Sequence, residues 1–137
     1  MDEIRQEKAF KIQGIELVSF SIQPQQATAF HKDALEFNIQ QEQKTNAEKR
    51  LLIVFTTVTI KEAGKNSFLA NLQVACGFGV PSFESLIKSD KKGNFILPHD
   101  LNIAISGIAI ATTRGILYAQ LRGSYLQNLI LPLLPIE

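Results

Sequence analysis

The stretch from Pro98 to Thr113 constrains the fold more than any other part of the sequence, because apolar residues occupy nearly every side of it. It is longer than a usual strand, although its isoleucines alone would permit one. Its ends favour a helix: Pro98 suits the first helical position, and Asp100 suits the positive end of the helix dipole. Arg114 suits the negative end, and Gly115 is a natural C-terminal cap. We therefore predict a helix.

A helix that is apolar all round must be covered on more than one side. One sheet would cover only one face. A stripe of residues, most of them small, runs along the helix and would let a second backbone approach closely: Ala104, Gly107, Ile108 and Ala111. We expect a second copy of the helix to cover this stripe, giving a homodimer or a homotetramer built from isologous dimers. The alternative cover is the chain's own C-terminal segment.

Four strands are predicted before this helix. Apolar residues recur mostly at every second position from Phe10 to Ile22, and a phase slip near Gly14 and Val18 indicates a bulge in a long strand. The second strand carries Leu35, Phe37 and Ile39 on one face and polar residues on the other. Further strands are expected at 51–60 and 68–78, with a long polar hairpin loop at 41–49 and a turn at 62–66.

Three successive hairpin-type connections predict an antiparallel sheet and therefore an α+β fold in one domain, 1–137. A short helix is expected at 82–88, followed by a loop at 89–94. The segment from Ile116 to Ile136 is strongly apolar, and Pro132 and Pro135 prevent a helix near its end. We expect it to be extended and to pack on the body of the chain or on a partner subunit.

Charge and composition exclude several classes of protein. The net charge is +1 and the basic residues are scattered, which does not fit a nucleic-acid-binding protein. No stretch of about 18 apolar residues is free of charge, so no membrane span is expected. The lone Cys76 and the charged, signal-free first residues favour the cytoplasm.

No catalytic or metal-binding constellation is visible. His31 and His99 have no partner at metal-ligand spacing, and Cys76 lies in a strand-like run where a buried, inert thiol is expected. We therefore predict that the chain is not an enzyme and needs no metal or cofactor. It should instead bind through apolar surface, in a groove suited to an extended peptide. A small-ligand carrier ranks last, because the strands hold no Arg or Tyr placed for a ligand carboxylate.

Several short runs resemble the SecB family of bacterial protein-export chaperones, and the order of elements matches over roughly residues 8–121. The runs correspond to the opening strand, the third hairpin and the two ends of the main helix. They are Phe10-Lys11-Ile12-Gln13, Val58-Thr59 with Phe68-Leu69, Pro98, and Thr113-Arg114-Gly115.

This resemblance implies a four-stranded antiparallel sheet with a short crossover helix and one long helix packed on one face. It also implies pairing into dimers and tetramers through the long helices, and ATP-independent holding of unfolded polypeptide clients in apolar grooves. Carried over by position, the peptide-binding residues are Leu35, Phe37, Ile39, Phe68, Phe78, Phe83 and Ile108.

Two departures bear on the partner that the resemblance implies. Export members dock the translocase motor SecA through acidic residues, and the matching positions here are Ser19, Gln23 and Asn71. Export members also end in a further helix and an acidic tail, whereas this sequence ends in leucines, prolines and a single Glu137. The resemblance is therefore equally compatible with a SecB-like chaperone dedicated to one partner, such as an antitoxin.

Overall fold

The computed structural model describes residues 10–24, 34–89 and 95–133. Strands β1 (Lys11–Ile22), β2 (Leu35–Asn46), β3 (Leu51–Glu62) and β4 (Phe68–Gly79) form one antiparallel sheet in the order β1-β4-β3-β2. Helix α1 (Phe83–Leu86), a small hairpin of β5 (Lys88–Ser89) and β6 (Phe95–Ile96), and helix α2 (His99–Gln120) follow. The predicted α+β fold, with four antiparallel strands, a short helix and a long helix, is confirmed.

Edge strand β1 is irregular where the phase of the sequence slips. Its pairing with β4 shifts register between Ile12 and Gly14, and again between Leu17 and Ser19. The predicted bulge is therefore two bulges, each of which inserts one extra residue and bends the edge.

The other edge strand, β2, is longer than predicted. The expected loop at 41–49 is wrong, because β2 continues to Asn46 and only residues 47–50 form the turn. The side chain of Asn46 accepts the Lys49 N–H at 3.2 Å, and Arg50 closes the turn at a φ of 54°. A polar sequence suits this strand because one face is open and its helix-side amides find partners.

The core lies between β3, β4 and α2. Alternate residues of β3 from Leu52 to Ile60 are buried on the helix side, as are their neighbours on β4. The helix contributes a stripe of buried residues spaced four positions apart: Ile105, Ala109, Thr113 and Leu117. The buried Thr113 hydroxyl has a hydrogen-bond partner, because it donates to the carbonyl of Ala109 at 2.7 Å.

Helix α2 is also longer than predicted. Its end at Gly115 is wrong: the helix runs on to Gln120. Gly115 faces open space on the exposed side, and a helical glycine costs only about 1 kcal/mol. The burial of Leu117, two positions after Gly115, offsets that cost.

The C-terminal segment folds back on the body. Residues up to 120 are helical and residues 121–128 form turns, so the prediction of an extended segment from Ile116 is wrong for its first half. Arg114 donates from Nε to the Leu131 carbonyl at 2.8 Å and from Nη2 to the Pro132 carbonyl at 3.1 Å. Three leucines of the segment are buried: Leu121, Leu126 and Leu131.

The crossover between β4 and α2 differs in detail from the prediction. Helix α1 is a single turn, shorter than the expected 82–88, and the β5–β6 hairpin was not predicted. Two-residue strands are too short to leave a periodic pattern in a sequence. Most of the expected loop, residues 90–94, lies outside the described residues.

Candidate functional site

The candidate site is the surface where edge strand β2 meets helix α2. Leu35, Phe37 and Ile39 lie half-buried on the helix side of β2, and Glu36 and Asn38 are exposed on the other side. The predicted division of faces is therefore confirmed. We call these three apolar residues the β2 row.

Two glutamines continue the β2 row and fix the helix beside it. Gln41 donates from Nε2 to the buried Thr56 hydroxyl at 3.1 Å and to the Ser106 carbonyl at 3.3 Å. Gln43 donates from Nε2 to Asn102 Oδ1 at 2.7 Å. Residue numbers rise along α2 as they fall along β2, so the helix runs antiparallel to the strand. Its later turns continue along the β2 row.

Helical geometry decides which helix residues face the β2 row. Each residue advances by about 100° around the axis, so Ile110 lies on the same side as the bonded Ser106 and, one turn later, beside the β2 row. Thr112, which hydrogen-bonds Cys76 of β4, lies on the far side together with Ile108. Sequence reasoning therefore missed Ile110. The 100° spacing would have found it only with a known contact to β2 as a starting point.

The remaining predicted peptide-binding residues are dispersed. Phe68 is half-buried at the start of β4, opposite Lys61. Phe78 is fully buried and packs edge-on against Phe10 at 5.7 Å between ring centroids. Phe83 is also buried. In this conformation Phe78 is a core residue that offers no surface to a bound peptide, and Phe83 offers very little.

A second apolar surface, absent from the predicted site, lies on the opposite edge of the sheet. Ile12, Ile15 and Leu17 of β1 are 44%, 51% and 38% exposed, and their partners on β4 are core residues that face the helix side. We call these three residues the β1 row. Its alternation is visible in the sequence, but its exposure depends on the helix. One helix is about 10 Å wide, whereas strands lie about 4.8 Å apart, so α2 cannot cover all four strands.

The predicted oligomer stripe lies on the outer side of α2. Ala104, Gly107 and Ala111 are exposed, and Ile108 is half-buried beside them. A Cβ at Gly107 would meet no other atom within 4 Å. By length and composition alone α2 could also cross a membrane, a property it shares with core helices of water-soluble proteins. Here its buried stripe packs against β3 and β4.

The described titratable groups form neither a metal-binding cluster nor a reactive thiol site. Within the described ranges, no three His, Cys, Asp or Glu side chains come together as a metal site. Burial raises the pKa of the Cys76 thiol, although a hydrogen bond with Thr112 acts in the opposite direction. The thiol is therefore protonated and unreactive at neutral pH. His99 is exposed at the start of α2, and His31 lies outside the described residues.

Comparison with solved structures shows which known fold the chain shares. No protein-family model and no curated protein sequence matches the chain. Among solved structures, the chain is similar to Mycobacterium tuberculosis Rv1957, a SecB-like chaperone in complex with a ChAD peptide from the Rv1956 HigA1 antitoxin. The similarity covers 96% of this chain and 92% of that chain, with a TM-score of 0.61 at 14% sequence identity. This chain has a SecB-like fold.

Ser19 and Asn71, which match acidic SecA-docking positions of export members, lie on the open face of the sheet. The groups around them are neutral. Ser19 pairs with Gln73 across β1 and β4, and Asn71 donates to the Thr59 hydroxyl at 2.8 Å. Gln73 likewise donates to the Thr57 hydroxyl at 3.0 Å. These amides are engaged with neighbouring hydroxyls, so this part of the SecB-like sheet presents hydrogen-bonded neutral groups rather than carboxylates.

Proposed function

We propose that this chain is an ATP-independent chaperone that holds non-native polypeptide segments in the groove between β2 and α2. The observation that carries the proposal is the half-buried β2 row, which lies on an edge strand beside an apolar helix. The solved structure of similar fold, Rv1957, holds a peptide, which supports a peptide as ligand.

The mechanism is passive burial of apolar side chains. Each square ångström of apolar surface removed from water contributes about 25 cal/mol, so a few client side chains seated on the β2 row give weak binding by themselves. Several such sites on one oligomer raise the effective concentration of a long client and tighten its total binding. Masking of apolar segments then suppresses aggregation without nucleotide hydrolysis.

An aggregation assay tests the proposal. A chemically unfolded protein is diluted into buffer with increasing amounts of the chain, and light scattering is followed. We expect suppression without ATP at molar excess of chaperone. The Phe37→Ala variant should suppress aggregation less than Asn38→Ala, which alters the exposed neighbour on the opposite face. Undiminished aggregation at molar excess of the wild-type chain contradicts the proposal.

Self-association is the second part of the proposal. The outer stripe of α2 and the β1 row are separate apolar surfaces, and copies of the chain would cover both. Four copies of the 15.2 kDa chain form a particle of about 61 kDa.

Substitution at Gly107 tests the helix stripe. Gly107→Leu fits within the chain itself, so it should leave the fold intact yet force paired helices apart and reduce the particle mass. Gly107→Ala is the matched small control and should retain the mass. A Gly107→Leu particle of unchanged mass would show that another surface pairs the subunits.

A dedicated partner is the alternative function, and two observations favour it. The peptide in the similar structure comes from an antitoxin, and the part of the open face around Ser19 and Asn71 carries neutral groups, which does not favour the SecA motor. A chaperone of this kind would act in the cytoplasm, bind one segment tightly and leave generic unfolded chains alone. Binding measured against a panel of unrelated unfolded proteins separates the two functions: uniform affinity indicates a general holdase.

A further inference from the structure

We infer that the bound segment joins the sheet as a fifth strand on the outer edge of β2, where no strand of the described residues pairs, and is hydrogen-bonded to the backbone of the β2 row. This inference rests on the proposed function and specifies how the site recognises its ligand. The polar contacts that fix the bound segment would then be main-chain groups, which every polypeptide carries.

The hydrogen bonding of the β2–β3 hairpin shows which β2 residues face the free edge. The Ala63 N–H donates to the Ala34 carbonyl at 2.6 Å, and register is unbroken from Leu35 opposite Glu62 to Asn46 opposite Leu51. In antiparallel pairing, hydrogen-bonded pairs alternate with non-bonded pairs. Even-numbered residues of β2 therefore bond to β3, and odd-numbered residues direct N–H and C=O outward.

The outward-facing backbone groups and the apolar side chains belong to the same residues. Leu35, Phe37 and Ile39 are odd-numbered, and their side chains lie on the helix side. A segment paired with them places its opposed side chains on that same side, next to the β2 row and within the reach of α2. Backbone bonding and apolar burial therefore require a single alignment of the segment.

Edge strand β2 lacks the protection that β1 has. Long edges usually carry bulges, prolines or inward charges that prevent pairing with another chain. β1 has two register shifts, whereas β2 keeps register over all 12 residues, contains no proline and has no charge on its helix side. Its charges, Glu36, Glu42 and Lys44, are exposed on the open face. A straight edge of this kind is a template for another strand.

The pattern along β2 favours a client segment over a second copy of β2. The helix-side residues are apolar at 35–39 but polar at Gln41, Gln43 and Thr45. A two-fold antiparallel pair along the full strand would set Leu35 opposite Thr45 and Phe37 opposite Gln43, which mismatches apolar and polar side chains. An extended non-native segment with apolar side chains at alternate positions over about five residues fits the β2 row.

Backbone methylation of a peptide tests the inference. The probe is a fluorescent peptide with apolar residues at alternate positions, prepared with a single N-methyl group at each position in turn. In an antiparallel fifth strand, the residues that bond to β2 are those whose side chains meet the β2 row. We expect methylation there to weaken binding by at least about tenfold, and methylation of the intervening residues to have an effect below about threefold.

The outcomes separate the inference from the proposed function. A parallel strand would invert the sensitive positions, so alternation of either parity supports a fifth strand. Tight binding of every methylated peptide overturns the inference and leaves a side-chain groove in place. Failure of the unmethylated peptide to bind overturns the proposed function and the inference together.

Residue-resolved hydrogen exchange of the chaperone provides a second readout. The amides of Leu35, Phe37 and Ile39 should exchange more slowly when the unmethylated peptide is bound. Amides of Glu36 and Asn38 are already bonded to β3 and serve as internal controls. New protection confined to β1, with unchanged exchange at the β2 row, places the added strand on the wrong edge and overturns the inference.

Discussion

The two edge strands of the sheet, β1 and β2, are similar in length and pattern but differ in their contact with α2. Each is a 12-residue strand with apolar side chains on the helix side. β2 keeps register and is joined to α2 through Gln41 and Gln43, whereas β1 is bulged twice and its row is among the most exposed apolar surface of the described residues. The β2 row is half-buried beside α2, whereas the β1 row is an exposed surface.

Because α2 lies off the centre of the sheet, the two edge strands present different surfaces on the helix side. A groove with one wall admits a single extended chain, which buries its side chains on two sides. An open apolar surface suits a larger and flatter partner such as a second subunit. We therefore assign client binding to β2 and subunit contact to β1, and the predictions below test that assignment.

A charge in the β1 row should change assembly most strongly. Ile15→Asp should reduce the particle mass measured by light scattering, because an unpaired carboxylate buried in a subunit interface costs several kcal/mol. Ile15 is half-exposed within one chain, so the circular dichroism spectrum should be unchanged. Ser19→Asp introduces the same charge on the open face and is the matched control. Equal masses for the Ile15→Asp variant and the wild type would remove β1 from the interface.

The next effect is on client affinity. Phe37→Ala should raise the Kd for a short apolar peptide about 30-fold, which corresponds to roughly 2 kcal/mol for an aromatic anchor. Ile15→Ala should change this Kd by less than about threefold, because a short peptide occupies a single groove. Fluorescence anisotropy measures both. Equal losses for the two variants would mean that the edges share one function.

The sequence predicted the strands and the faces of β2 because their period-two pattern is local. It predicted the slip in β1 for the same reason. It could not show where α2 lies across the sheet, so the β1 row was missed and Phe78 was assigned to the groove rather than to the core. Helix placement depends on contacts between residues far apart in the sequence, such as Gln41 with Ser106, which no local pattern contains.

A smaller effect concerns the connection between β2 and α2. Gln41→Leu removes two hydrogen bonds and leaves the buried Thr56 hydroxyl without its glutamine donor, so we expect a loss of about 1 kcal/mol in the free energy of unfolding. Gln40→Leu changes the exposed neighbour on the other face and should stay within about 0.5 kcal/mol. Urea denaturation measures both. A neutral Gln41→Leu would show that α2 does not need this connection to stay beside β2.

The smallest effect is on the pH dependence of stability and concerns Cys76 of β4, which is paired with Ile15 of the β1 row. Burial raises the pKa of Cys76 in the folded chain, so the native state holds the thiol proton more tightly than the unfolded state. This contribution to stability is constant below the unfolded pKa, about 8.5, and is lost as pH rises above it. We expect the free energy of unfolding, measured by urea denaturation, to fall more steeply above about pH 8.5 for the wild type than for Cys76→Ala. Parallel slopes would indicate that water reaches the thiol in the native state, so that the β1 row does not shield Cys76.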